Sequence, residues 1–143
     1  MILKKDAENS FEAVSKGQPK PRLTAGQQSL LDTLQHQPQP LSAQALYGVM
    51  RRQQPIGLAT IYRALETLKL LGLVQHRVTL TGETLYSAVE HDHHYLTCLQ
   101  CGVSVPLETC PVQELAAQLQ GTSSFRIYYH TLEFFGVCEG CEG

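Results

Sequence analysis

The sequence predicts an α+β fold: an N-terminal winged helix-turn-helix followed by a small α/β domain built around a four-cysteine zinc site. Three observations lead there. Residues 24–71 carry three successive helical patterns, with apolar residues three and four apart and stop signals between them. Period-two alternation follows, interrupted by Thr81-Gly82-Glu83, which is the pattern of a β-hairpin. Beyond it, Cys98-Leu99-Gln100-Cys101 and Cys138-Glu139-Gly140-Cys141 form two C-x-x-C pairs. Two such pairs at this separation are the usual sequence form of a tetrahedral zinc site, each gripping one side of the ion. A redox C-x-x-C would not explain why the motif occurs twice. Four unrelated core cysteines are the other alternative.

Taken in order, residues 1–21 form an aperiodic, polar stretch with Pro19 and Pro21, expected to be a flexible basic arm with Lys20 close to its end. A basic arm can follow a DNA groove; a frayed terminus is the plainer reading. Thr24 and Gln27 make a capping box for a first helix whose buried stripe is Leu30, Leu31 and Leu34, ended by Pro38 and Pro40. Ser42 caps a second helix, with Ala45, Leu46, Val49 and Met50 expected inward and Arg51 and Arg52 at its end. The third and clearest runs from Leu58 to about Leu71, with Gly72 as its stop. Leu58, Ile61, Leu65 and Leu68 form its stripe. At about 100° per residue, Arg63 lies opposite and Thr60 points outward.

Val74–Leu80 and Thr84–Val89 are the hairpin arms. Three helices and a hairpin is the order of a winged helix, whose third helix enters the major groove; any small α+β domain with a hairpin shares it. We therefore assign residues 22–89 to a winged-helix, DNA-binding domain and residues 90–143 to a metal-binding dimerisation domain. In the latter, strands are expected around His94–Thr97 and Val103–Leu107. A helix should begin at Pro111, with Val112, Leu115, Ala116 and Leu119 inward, and a β-rich run should cover Phe125–Phe134. About 50 residues rarely sustain a core without a metal staple or a partner subunit, and the apolar, aromatic run suits a dimer surface.

Composition sets outer limits. A hydrophobic content of 43% excludes global disorder. No apolar run approaches the roughly 18 residues of a membrane span, and Met1–Lys20 lacks a signal-peptide core. Cysteines concentrated in C-x-x-C pairs point to metal in a reducing compartment, so a cytoplasmic location is expected. Residues 1–90 hold ten Lys and Arg against seven Asp and Glu, and residues 91–143 hold one against six. A basic half compatible with nucleic acid thus precedes an acidic, ligand-rich half.

The run Gly57-Leu58-Ala59-Thr60-Ile61-Tyr62-Arg63-Ala64-Leu65 resembles the recognition helix of the ferric uptake regulator (Fur) superfamily. His91-Asp92-His93-His94-Tyr95-Leu96-Thr97-Cys98-Leu99-Gln100-Cys101-Gly102 is similar to that family's His-rich segment leading into C-x-x-C-G. His130, Cys138 and Cys141 fall where the pattern continues, so the likeness covers residues 22–141. Leu96–Gly102 and Tyr128–Gly136 look most like zinc uptake regulators (Zur) of the cyanobacterial type. The resemblance implies a homodimer in which metal at a second site sets the two DNA-binding domains to the spacing of a palindromic operator, chiefly to repress zinc-homeostasis genes. An iron or peroxide sensor of the same superfamily is the alternative.

The resemblance also implies ligands. Cys98, Cys101, Cys138 and Cys141 would form the structural site, because four thiolates leave zinc no open position. Asp92, His94 and His130 match three ligands of a family sensing site, whose usual fourth, a glutamate, is Gln113 here. Cys110, at the helix start where a thiolate is favoured, is expected to replace it; the plain alternative is a small buried thiol. His76, His91 and His93, with Glu83 or Glu90, are candidates for a second sensing site. Ser87 and Tyr95 depart from the family pattern there.

On the DNA side, Tyr62 and Arg63 match the family residues that enter the major groove, where Arg reads guanine. Thr60 lies beside them. Arg22 and Arg77, with Lys20, Arg51 and Arg52, are candidates for phosphate contacts, which position without specifying. Enzyme motifs are absent: a zinc deaminase needs His-x-Glu with Pro-Cys-x-x-Cys, but no His-x-Glu occurs and Thr97 precedes Cys98, and there is no H-E-x-x-H. A passive zinc-binding protein is the third class, which the outward Arg63 and the winged-helix order argue against.

Overall fold

The structure, a computed structural model, describes residues 21–91 and 94–142, without the side chain of His91. The expected arm lies outside the described residues except for Pro21. The chain divides into two compact units between Asp92 and His93.

The first unit contains helices α1 (Ala25–Gln35), α2 (Ala43–Met50) and α3 (Leu58–Leu70), and strands β1 (Leu41–Ser42), β2 (Val74–Val78) and β3 (Thr84–Ala88). Both arms of the Thr24/Gln27 capping box form, at 3.0 and 3.1 Å. The Ser42 hydroxyl accepts from the Ala45 backbone N–H at 3.1 Å. The three strands form one antiparallel sheet in the order β1-β3-β2. Gly82 turns the hairpin at φ 87°, a conformation that a side chain disfavours. The core joins Leu30, Leu34, Leu46, Met50, Ile61, Leu65, Leu68 and Val74 with Tyr86 and Ala88 of β3. Each such aliphatic side chain contributes roughly 1.5–3 kcal/mol by leaving water.

Two stripes differ from expectation: on α3, Leu58 is half-buried and Ala64 is buried beside Ile61, Leu65 and Leu68. On α2, Ala43, Leu46 and Met50 are buried, whereas Ala45 is exposed and Val49 half-buried. β1 pairs Leu41 and Ser42 with Tyr86 and Leu85; that ladder draws Ala43 into the core and rotates the buried face.

The second unit contains β4 (Tyr95–Cys98), β5 (Ser104–Pro106), α4 (Gln113–Thr122), β6 (Glu133–Gly136) and α5 (Glu139–Glu142). The sheet order is β5-β4-β6, with β4 antiparallel to β5 and parallel to β6. Of the described residues from 94 onward, only His94, Thr97 and Cys98 are buried. This unit has no apolar core among them.

Two expectations fail here for that reason. The helix begins at Gln113 rather than Pro111, and it buries no residue; Leu115 and Leu119 are 52% and 47% exposed. The β-rich run reduces to β6, because residues 125–132 find no strand partner among the described residues. The Ile127 N–H bonds the Gln120 side-chain oxygen at 2.8 Å instead. Phe125, Phe134 and Phe135 stay exposed.

Candidate metal centres

The four C-x-x-C cysteines converge. Cys98 ends β4, Cys101 lies in the turn to β5, Cys138 follows β6 and Cys141 sits on α5. Their sulfurs all lie within 4.8 Å of one another, and Cys101 Sγ is 3.8 Å from Cys138 Sγ. Zn–S bonds of about 2.3 Å at tetrahedral angles set an S···S edge of roughly 3.8 Å, so the sulfurs fit zinc. Gly102 closes the first knuckle at φ 79°, and its N–H bonds the Cys98 carbonyl at 2.9 Å.

The cluster's electrostatics are uneven. Backbone N–H groups of Cys101, first, and Cys138 point at Cys98 Sγ and bring its pKa down to about 6; they lie at 3.5 and 3.3 Å. These are the donors that steady a metal-bound thiolate. Cys141 is pushed up to about 12, first by its hydrogen bond with Cys138 and then by that with Cys101. Four crowded sulfurs without a cation cannot all be thiolates; a shared divalent ion removes that conflict.

A second cluster brings together His94, Cys110 and His130, whose ligand atoms also lie within 4.8 Å of one another. Cys110 Sγ is 3.3 Å from His94 Nε2 and 3.2 Å from His130 Nε2. The two Nε2 atoms are 3.0 Å apart, and the rings stack with centroids 4.7 Å apart. Zn–N near 2.0 Å and Zn–S near 2.3 Å imply edges of roughly 3.3–3.6 Å, so a small outward movement of the three donors seats the ion. His94 is buried and the other two are half-buried. The Leu107 N–H bonds the His94 carbonyl at 2.6 Å, and the Tyr95 N–H bonds the Leu132 carbonyl at 3.2 Å. These bonds tie the stretch before β4 to those carrying Cys110 and His130.

Among the described residues, no other expected ligand joins either group. Asp92, His93 and the side chain of His91 lie outside what the structure describes. His76 is half-buried on β2, its ring 6.3 Å from that of Tyr86, and among the described residues it joins no metal-ligand group. Gln113 opens α4.

Tyr62 and Arg63 are exposed on α3, as is Thr60, whose hydroxyl accepts from Arg63 Nη2 at 3.3 Å. Arg22 is exposed and Arg77 half-buried on β2. Arg51 lies over the Tyr47 ring, 5.5 Å from its centroid. One polar group went unread in the sequence: Thr97 donates to Glu133 and also pairs with Ser104. Its only advance sign is a carboxylate inside an apolar run.

The model of the ferric uptake regulator family matches residues 19–135. The chain belongs to that family. The Fur family comprises dimeric, DNA-binding regulators that respond to metal, and this Fur-family chain is a metal-responsive transcription regulator with the family's mixed helix-and-sheet fold. One relative, the zinc uptake regulation protein of Mycobacterium tuberculosis, is 37% identical over 102 residues, covering 70% of this chain and 78% of that one. The ferric uptake regulation protein of Bacillus subtilis is 32% identical over 115 residues, 77% of each chain. A solved ferric uptake regulator from Pseudomonas aeruginosa superposes with a TM-score of 0.63 at 18% identity, covering 93% of this chain and 98% of that one; that likeness is one of fold. No helix among the described residues is long and apolar enough to cross a membrane.

Proposed function

We propose that this chain is a cytoplasmic, zinc-responsive regulator whose homodimer, loaded with metal, binds palindromic operators of zinc-homeostasis genes, chiefly as a repressor. The observation that carries the reading is the convergence of His94, Cys110 and His130. Two imidazoles and a thiolate suit zinc well, whereas carboxylate-rich sets suit harder ions. The relative named for zinc uptake supports the same choice. Relatives named for ferric uptake keep an iron sensor as the alternative.

The two clusters divide the work. Cys98, Cys101, Cys138 and Cys141 would hold a structural ion, saturated by sulfur and resistant to exchange. His94, Cys110 and His130, with Asp92 as an expected fourth ligand, would hold the sensed one. A bound ion supplies the cation that lets these donors sit side by side. Sensing follows if that arrangement belongs to the DNA-competent dimer, because zinc shifts the population only as far as it prefers that state. Tyr62 and Arg63 then read bases, while Arg22 and Arg77 hold phosphates.

The test is zinc stoichiometry per chain together with operator binding at fixed salt, for the native protein and Cys110→Ala. We expect two ions for the native chain. The variant should keep one tight ion and lose zinc-stimulated DNA binding. A variant that responds to zinc as the native chain does would remove Cys110 from the sensor. Stimulation by ferrous iron, but not zinc, would favour the iron reading.

A further inference from the structure

Both clusters are built on opposite ends of the same short sheet. His94 immediately precedes β4 and His130 lies three residues before β6, while Cys98 ends β4 and Cys138 comes two residues after β6. The parallel register Tyr95↔Glu133, Leu96↔Phe134, Thr97↔Phe135, Cys98↔Gly136 therefore fixes His94 against His130 at one end. At the other it fixes Cys98 against Cys138. The antiparallel register of β4 with β5 does the same for Cys110 through Leu107, and for Cys101 through the intervening turn. A slip of one residue moves a strand by about 3.3 Å and exchanges its faces, which would dismantle both clusters together.

These strands are four, three and four residues long, and no apolar core holds them among the described residues. Short strands of this kind are marginal without further support. One side-chain chain crosses all three. Thr97 is 5% exposed; its hydroxyl donates to the Glu133 carboxylate and lies 2.8 Å from the Ser104 hydroxyl. The Thr97 hydroxyl has a single proton, which it donates to Glu133, so in the contact with Ser104 it is Ser104 that donates. Leaving the Thr97 hydroxyl without its donor at a buried position is costly, and the half-buried Glu133 carboxylate loses a donor with it.

We propose that the Ser104–Thr97–Glu133 relay is a register lock that positions the ligands of both clusters, so that Thr97 and Glu133 set metal affinity without touching metal. The proposal rests on the reading of the two clusters as metal sites. It makes the clusters energetically linked through one sheet, and such a linkage acts equally in both directions.

The test uses the full chain loaded with one equivalent of zinc and then titrated with cobalt(II), following the cobalt–thiolate charge-transfer band. Cys110→Ala establishes whether that band arises at the second cluster. Thr97→Val keeps the size and β-branching of the side chain but removes the hydroxyl; Thr97→Ser restores it. We expect Thr97→Val to retain the tight zinc ion and bind cobalt at least about tenfold more weakly, the usual scale for outer-shell partners. Thr97→Ser should stay near the native affinity, and Glu133→Ala should resemble Thr97→Val. Native cobalt affinity in Thr97→Val, with a Cys110-dependent band present, overturns the lock and leaves the site reading intact. Equal losses in the Val and Ser variants overturn it too, since the hydroxyl would then be irrelevant. A native band indifferent to Cys110 overturns the site reading and the lock with it.

Discussion

At Cys110, three local circumstances coincide: it follows the β5 stretch, precedes α4, and stands 3.2–3.3 Å from two imidazole nitrogens. A cysteine serving only as a small apolar filler has no need of two ring nitrogens aimed at its sulfur. Arg63 is a comparable case on the DNA side. It is exposed on α3, where its guanidinium donates to the Thr60 hydroxyl at 3.3 Å. Replacing Arg63 by Ala should cost about 1–3 kcal/mol at one base position and relax specificity there, measured by titrating operator variants at one salt concentration. Replacing Arg22 should weaken binding evenly across sequences and flatten its salt dependence. A uniform loss for Arg63→Ala would move Arg63 to the phosphate contacts. Residue chemistry of this kind was readable in advance where spacing constrains it, as in the paired C-x-x-C motifs. The convergence of Cys110 on His94 and His130 could only be guessed, since the approach depends on strand register rather than on neighbours in sequence.

Among elements, the helices of the first unit were the most legible, whereas α4 buries none of its expected stripe. Leu30, Leu31 and Leu34, and Ile61, Leu65 and Leu68, are buried as their periodicity requires, because a single apolar stripe has one way to face a core. α2 was misjudged by a fraction of a turn, since the two-residue β1 that sets its rotation is too short to leave a pattern. Residues 125–132 were misjudged more seriously. Their β-forming composition is real, but a strand needs a partner as well as propensity, and none of the described residues provides one. Leu46 is fully buried where α2 meets the core. Leu46→Ala should cost about 2–5 kcal/mol, seen as a lower midpoint in thermal or denaturant unfolding of the helical unit. Leu115→Ala, half-exposed on α4, should leave the folding of an isolated chain nearly unchanged. A large effect on the concentration dependence of assembly would instead mark it as covered in the dimer.

For the molecule as a whole, the two units rest on different physics. Residues 21–91 contain a continuous apolar cluster, whereas the described residues from 94 onward bury only His94, Thr97 and Cys98. On the proposed reading the second unit would depend on coordination and on subunit contact, where the first depends on hydrophobic burial. Stripping zinc with a strong chelator should therefore loosen residues 94–142 while the helical unit stays protected. Hydrogen exchange resolved by peptide would report it; equal loss of protection in both units would show that they fold as one. The division into a basic half and an acidic half was visible in the sequence, as was the order of elements apart from the short β1 and α5. What composition could not reveal is that two ligand clusters share one three-stranded sheet, because that follows from parallel pairing of segments far apart in the chain.

Zinc K-edge X-ray absorption, on protein loaded with one and then two equivalents, tests most directly whether the second cluster is the zinc site. The first equivalent should show four sulfurs at about 2.3 Å. The second should add one sulfur at that distance with nitrogen or oxygen near 2.0–2.1 Å, and the added sulfur should vanish in Cys110→Ala. A second ion surrounded by nitrogen and oxygen alone would contradict the assignment of Cys110, and with it the chemical case for zinc as the sensed metal.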